Sequence, residues 1–103
     1  MTESFRTGLP PGLTAYKRTP SFTEASVPAG LLRAHSTKEG VWALIHVEAG
    51  RLAYRVIDPR RAQSEQILTG ESAPGVIEPA ILHEVAPLGP VRFHVEFYRD
   101  GPR

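Results

Sequence analysis

Two stretches of the chain alternate apolar and polar residues with a period of two, and the remaining elements fall into place around them. Over residues 41–48, Val41, Ala43, Ile45 and Val47 alternate with Trp42, Leu44, His46 and Glu48. Both sets are largely apolar, as in a central strand covered on both faces. Over residues 91–98, Val91, Phe93, Val95 and Phe97 share one face, while Arg92, His94, Glu96 and Tyr98 share the other. This predicts a strand with a core side and an outward side. Residues 51–57 set Leu52, Tyr54 and Val56 against Arg51, Ala53 and Arg55. Ala49-Gly50 reads as the turn that makes this segment a hairpin partner of the strand before it. Shorter strands are expected at 16–19, 31–34, 66–68, 76–78 and 81–85. Asp58-Pro59 ends one strand, and residues 87–90, PLGP, read as a tight turn before the last.

Glycine and proline recur at short intervals, with 9 Gly and 10 Pro. A helix of three turns has almost nowhere to fit, whereas short strands do. The expected fold is therefore all-β, and it closes most naturally as a single small antiparallel β-barrel, since closure removes exposed strand edges. Residues 1–15, dense in Pro and Gly around TGLPPG, read as a flexible N-terminal arm. Residues 16–100 form the domain. No internal repeat is visible.

Composition narrows the function. A length of 103 residues implies one domain, and 41% hydrophobic residues imply a globular one. Twelve basic against 11 acidic residues, a net charge of +1, give no electrostatic case for nucleic acid. Without cysteine there is no disulfide framework, zinc finger or thiol nucleophile. No signal-peptide core and no membrane-length apolar run are present, so a cytoplasmic protein is expected.

Four histidines carry what chemistry the sequence offers. His35 precedes the central strand, and His83 follows a proline-bent loop that carries Glu78. Two imidazoles and one carboxylate would satisfy a first-row divalent cation, with water in the open positions. Lys38 would place a cation at the rim of such a site, suited to an anionic ligand. His46, mid-strand with Trp42 and Leu44 on its face, reads as a packing or interface residue, His94 as pointing away from the barrel interior, and Trp42 as a core residue. There is no G-x-S-x-G turn, dinucleotide-binding loop or P-loop.

The order strand, His, central strand, Gly turn, Pro bend, His, final strand resembles a single-domain cupin. Residues 16–58, YKRTPSFTEASVPAGLLRAHSTKEGVWALIHVEAGRLAYRVID, and 74–99, PGVIEPAILHEVAPLGPVRFHVEFYR, resemble the N-terminal domain of tellurite-resistance protein B, the TehB/YeaR-like family. The runs H-x-T-K-x-G-V-W and E-P-x-x-x-H-x-V-x-P-L-G-P carry the likeness. The resemblance implies a cupin fold (a double-stranded β-helix, or jelly-roll) holding a metal, most often zinc. His35 would then stand for the first motif's histidine and His83 for the second's, with Glu78 as a third ligand. Thr37 and Ala43 stand where a typical metal cupin has a second histidine and a glutamate, and no asparagine is present. Longer members carry a methyltransferase domain. This chain stops short of one, so S-adenosylmethionine is not expected. Three functions follow. The first is a metal-binding protein of the tellurite or chemical-stress response. The second is a non-catalytic module for a small molecule or anion. The third is a metal-dependent oxygenase or isomerase. A homodimer is expected by analogy with other cupins.

Overall fold

The computed structural model describes residues 8–100. Residues 1–7 of the expected arm and the last three residues of the tail lie outside them. The chain is all-β: strands β1 (Leu13–Arg18), β2 (Phe22–Thr23), β3 (Trp42–Val56), β4 (Ser64–Thr69), β5 (Gly75–Ile77) and β6 (His83–Asp100). They form one antiparallel sheet of order β1-β6-β3-β4, with β2 also on β6 and β5 also on β3. The ladder runs from β1 to β4 without a pairing between those two, so its hydrogen bonding is open among the described residues. β1 begins at Leu13, within the expected arm, and Leu9 is already buried.

β3 and β6 dominate the fold, and both differ from the sequence expectation. Ala49-Gly50 does not reverse the chain: β3 runs unbroken through it for 15 residues. PLGP is not a turn either, since β6 runs through it for 18 residues. The two strands pair with each other along most of their length, with register shifts at Val47/Ala49 and Gly50/Leu52. Gly50 (φ 80°) and Gly89 (φ 97°) sit in the left-handed region on facing strands. Extra residues there make bulges, which bend and twist a strand without ending its pairing. The glycine and proline signals are the same for a bend and for a reversal; the partner strand, bulged at the same level, decides between them. At Gly50 the two backbones nearly touch. A Cβ there would lie 2.8 Å from the Val91 Cα and closer still to the Pro90 carbonyl oxygen.

The bend lets each half of β3 take a different neighbour. Ala43–Ile45 pair with Gly75–Ile77, and Arg51–Val56 pair with Ser64–Thr69. The core lies on one face, where Ala43, Ile45, Val47, Leu52, Tyr54, Val85, Val91, Phe93 and Val95 pack together. The strand expected at 31–34 is instead a short 3₁₀ helix, Ala29–Leu32. Pro28 presets the backbone before it, and the Leu31 N–H donates to the Pro28 carbonyl at 3.0 Å. No helix among the described residues is long and apolar enough to cross a membrane.

Candidate functional site

The core face of the sheet opens into a cavity of 810 Å³. Its walls are apolar, from Phe22, Ile45, Ile77, Val85, Phe93, Val95 and Phe97, and the Leu31 side of the 3₁₀ helix completes them. His35 and His83 both line it. They pair across an isolated two-residue bridge: the His35 N–H donates to the His83 carbonyl at 3.0 Å, and the His83 N–H donates to the His35 carbonyl at 2.9 Å. Their rings stand 4.1 Å apart at a tilt of 59°. The chain segments that carry these two candidate histidines meet in space.

Both rings have a defined tautomer. His35 Nδ1 lies 2.9 Å from the Arg33 carbonyl, and His83 Nδ1 lies 3.0 Å from the Ile81 carbonyl. A carbonyl oxygen only accepts, so each Nδ1 carries the hydrogen and each Nε2 carries the free lone pair. Neither Nε2 has a partner, and no buried side-chain nitrogen or oxygen among the described residues lacks one. The Nε2 atoms therefore face open space, which is the cavity. Burial lowers the pKa of His83 to about 4, and the neighbouring His35 adds to this, against the Ile81 hydrogen bond. His83 is a neutral acceptor at physiological pH.

The loop leading to His83 is braced on all sides. Asp58, only 1% exposed, accepts the Leu82 N–H at 3.0 Å and both the backbone and the guanidinium of Arg60. These bonds, led by the Arg60 guanidinium, hold its carboxyl far below the usual carboxylate range. The Ile57 N–H donates to the Leu82 carbonyl, and Arg60 reaches the Ala80 carbonyl at 2.6 Å. The Ala80 N–H donates to the Thr37 carbonyl at 3.1 Å, tying the loop to the His35 segment. Ala80 sits at φ 62°, a left-handed value costly for any residue with a Cβ. From the sequence alone, Asp58-Pro59 marks only the end of a strand. An Asp whose side chain caps the amide two residues on is a turn signal, but its grip on Leu82 is tertiary.

Three cations line the same cavity: Lys17, Lys38 and Arg99. Among the described residues no aspartate or glutamate does. The Lys17 ammonium lies 6.0 Å from the centre of the Phe97 ring, and the Arg99 guanidinium stacks 4.1 Å from that of Tyr16. None of the three has a carboxylate partner among the described residues. Lys38 was legible in the sequence, but Lys17 and Arg99 were not. They come from the first strand and the end of the last, adjacent in space because β1 pairs with β6.

Glu78 is not at the cavity. Its carboxylate forms a two-pronged pair with Arg61, at 3.0 Å to Nε and 2.9 Å to Nη2. Among the described residues no group of three or more His, Asp or Glu is placed to hold a metal ion. The donor chemistry points the same way. Two imidazoles supply two donors where zinc sites take three or four from the protein, and three cations in the lining oppose a divalent one. The residues present do not fit a resident metal held by the protein alone. His46 and His94 stack 4.9 Å apart on the outward face, where Glu96 and Glu48 respectively partner them.

Comparison with known proteins adds a family to this geometry. The TehB-like domain matches residues 17–95. No curated protein matches the chain. The crystal structure of TehB from Haemophilus influenzae is similar at a TM-score of 0.79 and 28% identity, over 87% of this chain. The chain spans 32% of that protein's length. A crystal structure of a protein from E. coli strain K12 is similar at a TM-score of 0.79 and 20% identity, and the match covers 91% of this chain and 97% of that one. The second likeness concerns the fold alone. With a family match over more than half of its length, the chain belongs to the TehB-like domain family.

Proposed function

We propose that the chain is a small-molecule binding module whose ligand is anionic and sits in the cavity beside His35 and His83. The observation that carries this reading is the lining: three cations without a carboxylate, apolar walls, and two imidazole acceptors. A pocket of this size and polarity suits an organic ligand with a few fixed polar contacts. Lys38, Lys17 and Arg99 attract the negative group, and the histidines orient the rest. The kinship with TehB supports a role in the response to tellurite or related chemical stress. On this reading the sheet belongs to a cupin-type barrel that wraps the ligand. A homodimer and a cytoplasmic setting accompany the proposal, and light scattering checks the first of these.

The competing reading is a metal centre at His35, His83 and Glu78, with zinc as the first candidate. It requires Glu78 to leave Arg61 and enter the cavity. A thermal-shift series separates the two. Small organic acids should raise the melting temperature, with less effect at high salt and in Lys38→Met. Stabilisation by zinc at equimolar concentration, lost in Glu78→Gln, with no response to any acid, would establish the metal centre instead.

A further inference from the structure

The imidazoles and the cations of the lining make different demands on a ligand. His83 is buried and His35 half-buried, and both imidazoles offer only acceptors, because each Nδ1–H is already bonded to a carbonyl. The two threonine hydroxyls of the lining do not compensate, and Ser36 is exposed. The Thr37 hydroxyl donates to the Val41 carbonyl at 2.7 Å, and the Thr19 hydroxyl donates to the Pro20 carbonyl while accepting the Val95 N–H. A purely apolar ligand would leave the two Nε2 atoms dry and unpaired, which is unfavourable. A fully deprotonated inorganic oxyanion would present lone pairs to lone pairs, and any small oxyanion would leave most of 810 Å³ unfilled. An ammonium would meet three cations with no carboxylate to offset them. A neutral O–H donor satisfies the acceptors without adding charge. At the solvent side, Lys17, Lys38 and Arg99 are exposed.

We propose that the ligand is an organic acid with a hydroxyl at the end opposite its carboxylate. The hydroxyl donates to Nε2 of His83 or His35, the apolar body lies between Phe22, Phe93 and Phe97, and the carboxylate meets Lys17, Lys38 and Arg99. This rests on the binding-module reading and adds the polarity and orientation of the ligand. A site built around a substrate hydroxyl discriminates strongly against the analogue lacking it.

Calorimetric titration of the full chain with three probes tests this: a phenylpropionic acid, its para-hydroxy derivative, and the methyl ester of that derivative. The hydroxy acid should bind about tenfold or more tighter than the unsubstituted acid, and the ester about tenfold weaker than the hydroxy acid. His83→Phe should remove the hydroxyl preference and keep the preference for acid over ester. His35→Leu, at a less buried position, should reduce the same preference if His83→Phe does not fold. Lys38→Met and Arg99→Met should do the reverse, weakening the acids and leaving the hydroxyl preference. Equal affinity for the two acids overturns this inference and leaves the binding-module reading standing. A hydroxyl preference unchanged in both histidine variants also overturns it. No binding by either acid overturns both.

Discussion

Burial fixes the charge of His83, and this has a measurable consequence. The imidazole is 2% exposed, and its pKa falls to about 4 from an ordinary 6.5. The folded state therefore favours the neutral ring. The corresponding stability is fully present above pH 6.5 and is lost as pH falls from 6.5 towards 4. Urea midpoints of the chain and of His83→Phe across that window should diverge, with the native chain losing on the order of 2–3 kcal/mol more. Parallel midpoints would mean that His83 is not neutral in the fold. Ala80 offers a second test. Its left-handed backbone is one that glycine adopts freely, so Ala80→Gly should stabilise by about 0.5–1 kcal/mol, read from the shift in midpoint. At this scale the sequence was partly legible. His35, His83 and Lys38 were visible as residue types beside strand patterns. The Glu78 position was visible too, but its pairing with Arg61 depends on where the loop of residues 57–63 folds back, which no local pattern encodes.

At the scale of elements, alternation was a dependable guide to which residues face the core. Ala43, Ile45, Val47, Phe93 and Val95 do so. It was a poor guide to where strands end. Gly50 and Gly89 look alike as turn signals, yet both lie inside continuous strands. Their surroundings differ. A Cβ at Gly50 runs into the Pro90–Val91 backbone, whereas one at Gly89 meets nothing within 4 Å. Gly50→Ala should therefore destabilise by about 2 kcal/mol or more, because contact and backbone strain add. Gly89→Ala should cost only about 1 kcal/mol from its left-handed backbone. Denaturation midpoints of the two variants decide this. Equal costs would mean that the strands do not approach at Gly50. Residues 31–34, LLRA, suggested a strand where the structure has a 3₁₀ helix at Ala29–Leu32, because so short a run has no period that separates the two.

The whole molecule is a bent antiparallel sheet whose two longest strands carry most of the core and, with β1 and the His35 segment, frame the candidate site. An all-β antiparallel fold was legible in the alternation and in the spacing of glycine and proline. The open ladder between β1 and β4 was not, because closure depends on edge pairing across the full sheet. The convergence of Lys17 and Arg99 on the cavity of His35 and His83 is likewise a property of topology: it exists because β1 lies on β6. The proposed ligand is an organic anion, for which the three cations and the apolar walls of the lining are the support. The most direct test is a nuclear magnetic resonance titration of isotope-labelled protein with a small hydroxy acid, following the imidazole nitrogens of His35 and His83 and the backbone amides of Phe93, Val95 and Lys38. The expected result is a saturable set of shifts confined to the cavity, weakened by added salt and by Lys38→Met, with Nε2 of His83 among the most affected nuclei. Shifts confined to the outward His46 and His94 face, or cavity shifts produced by equimolar zinc and by no acid, would contradict it.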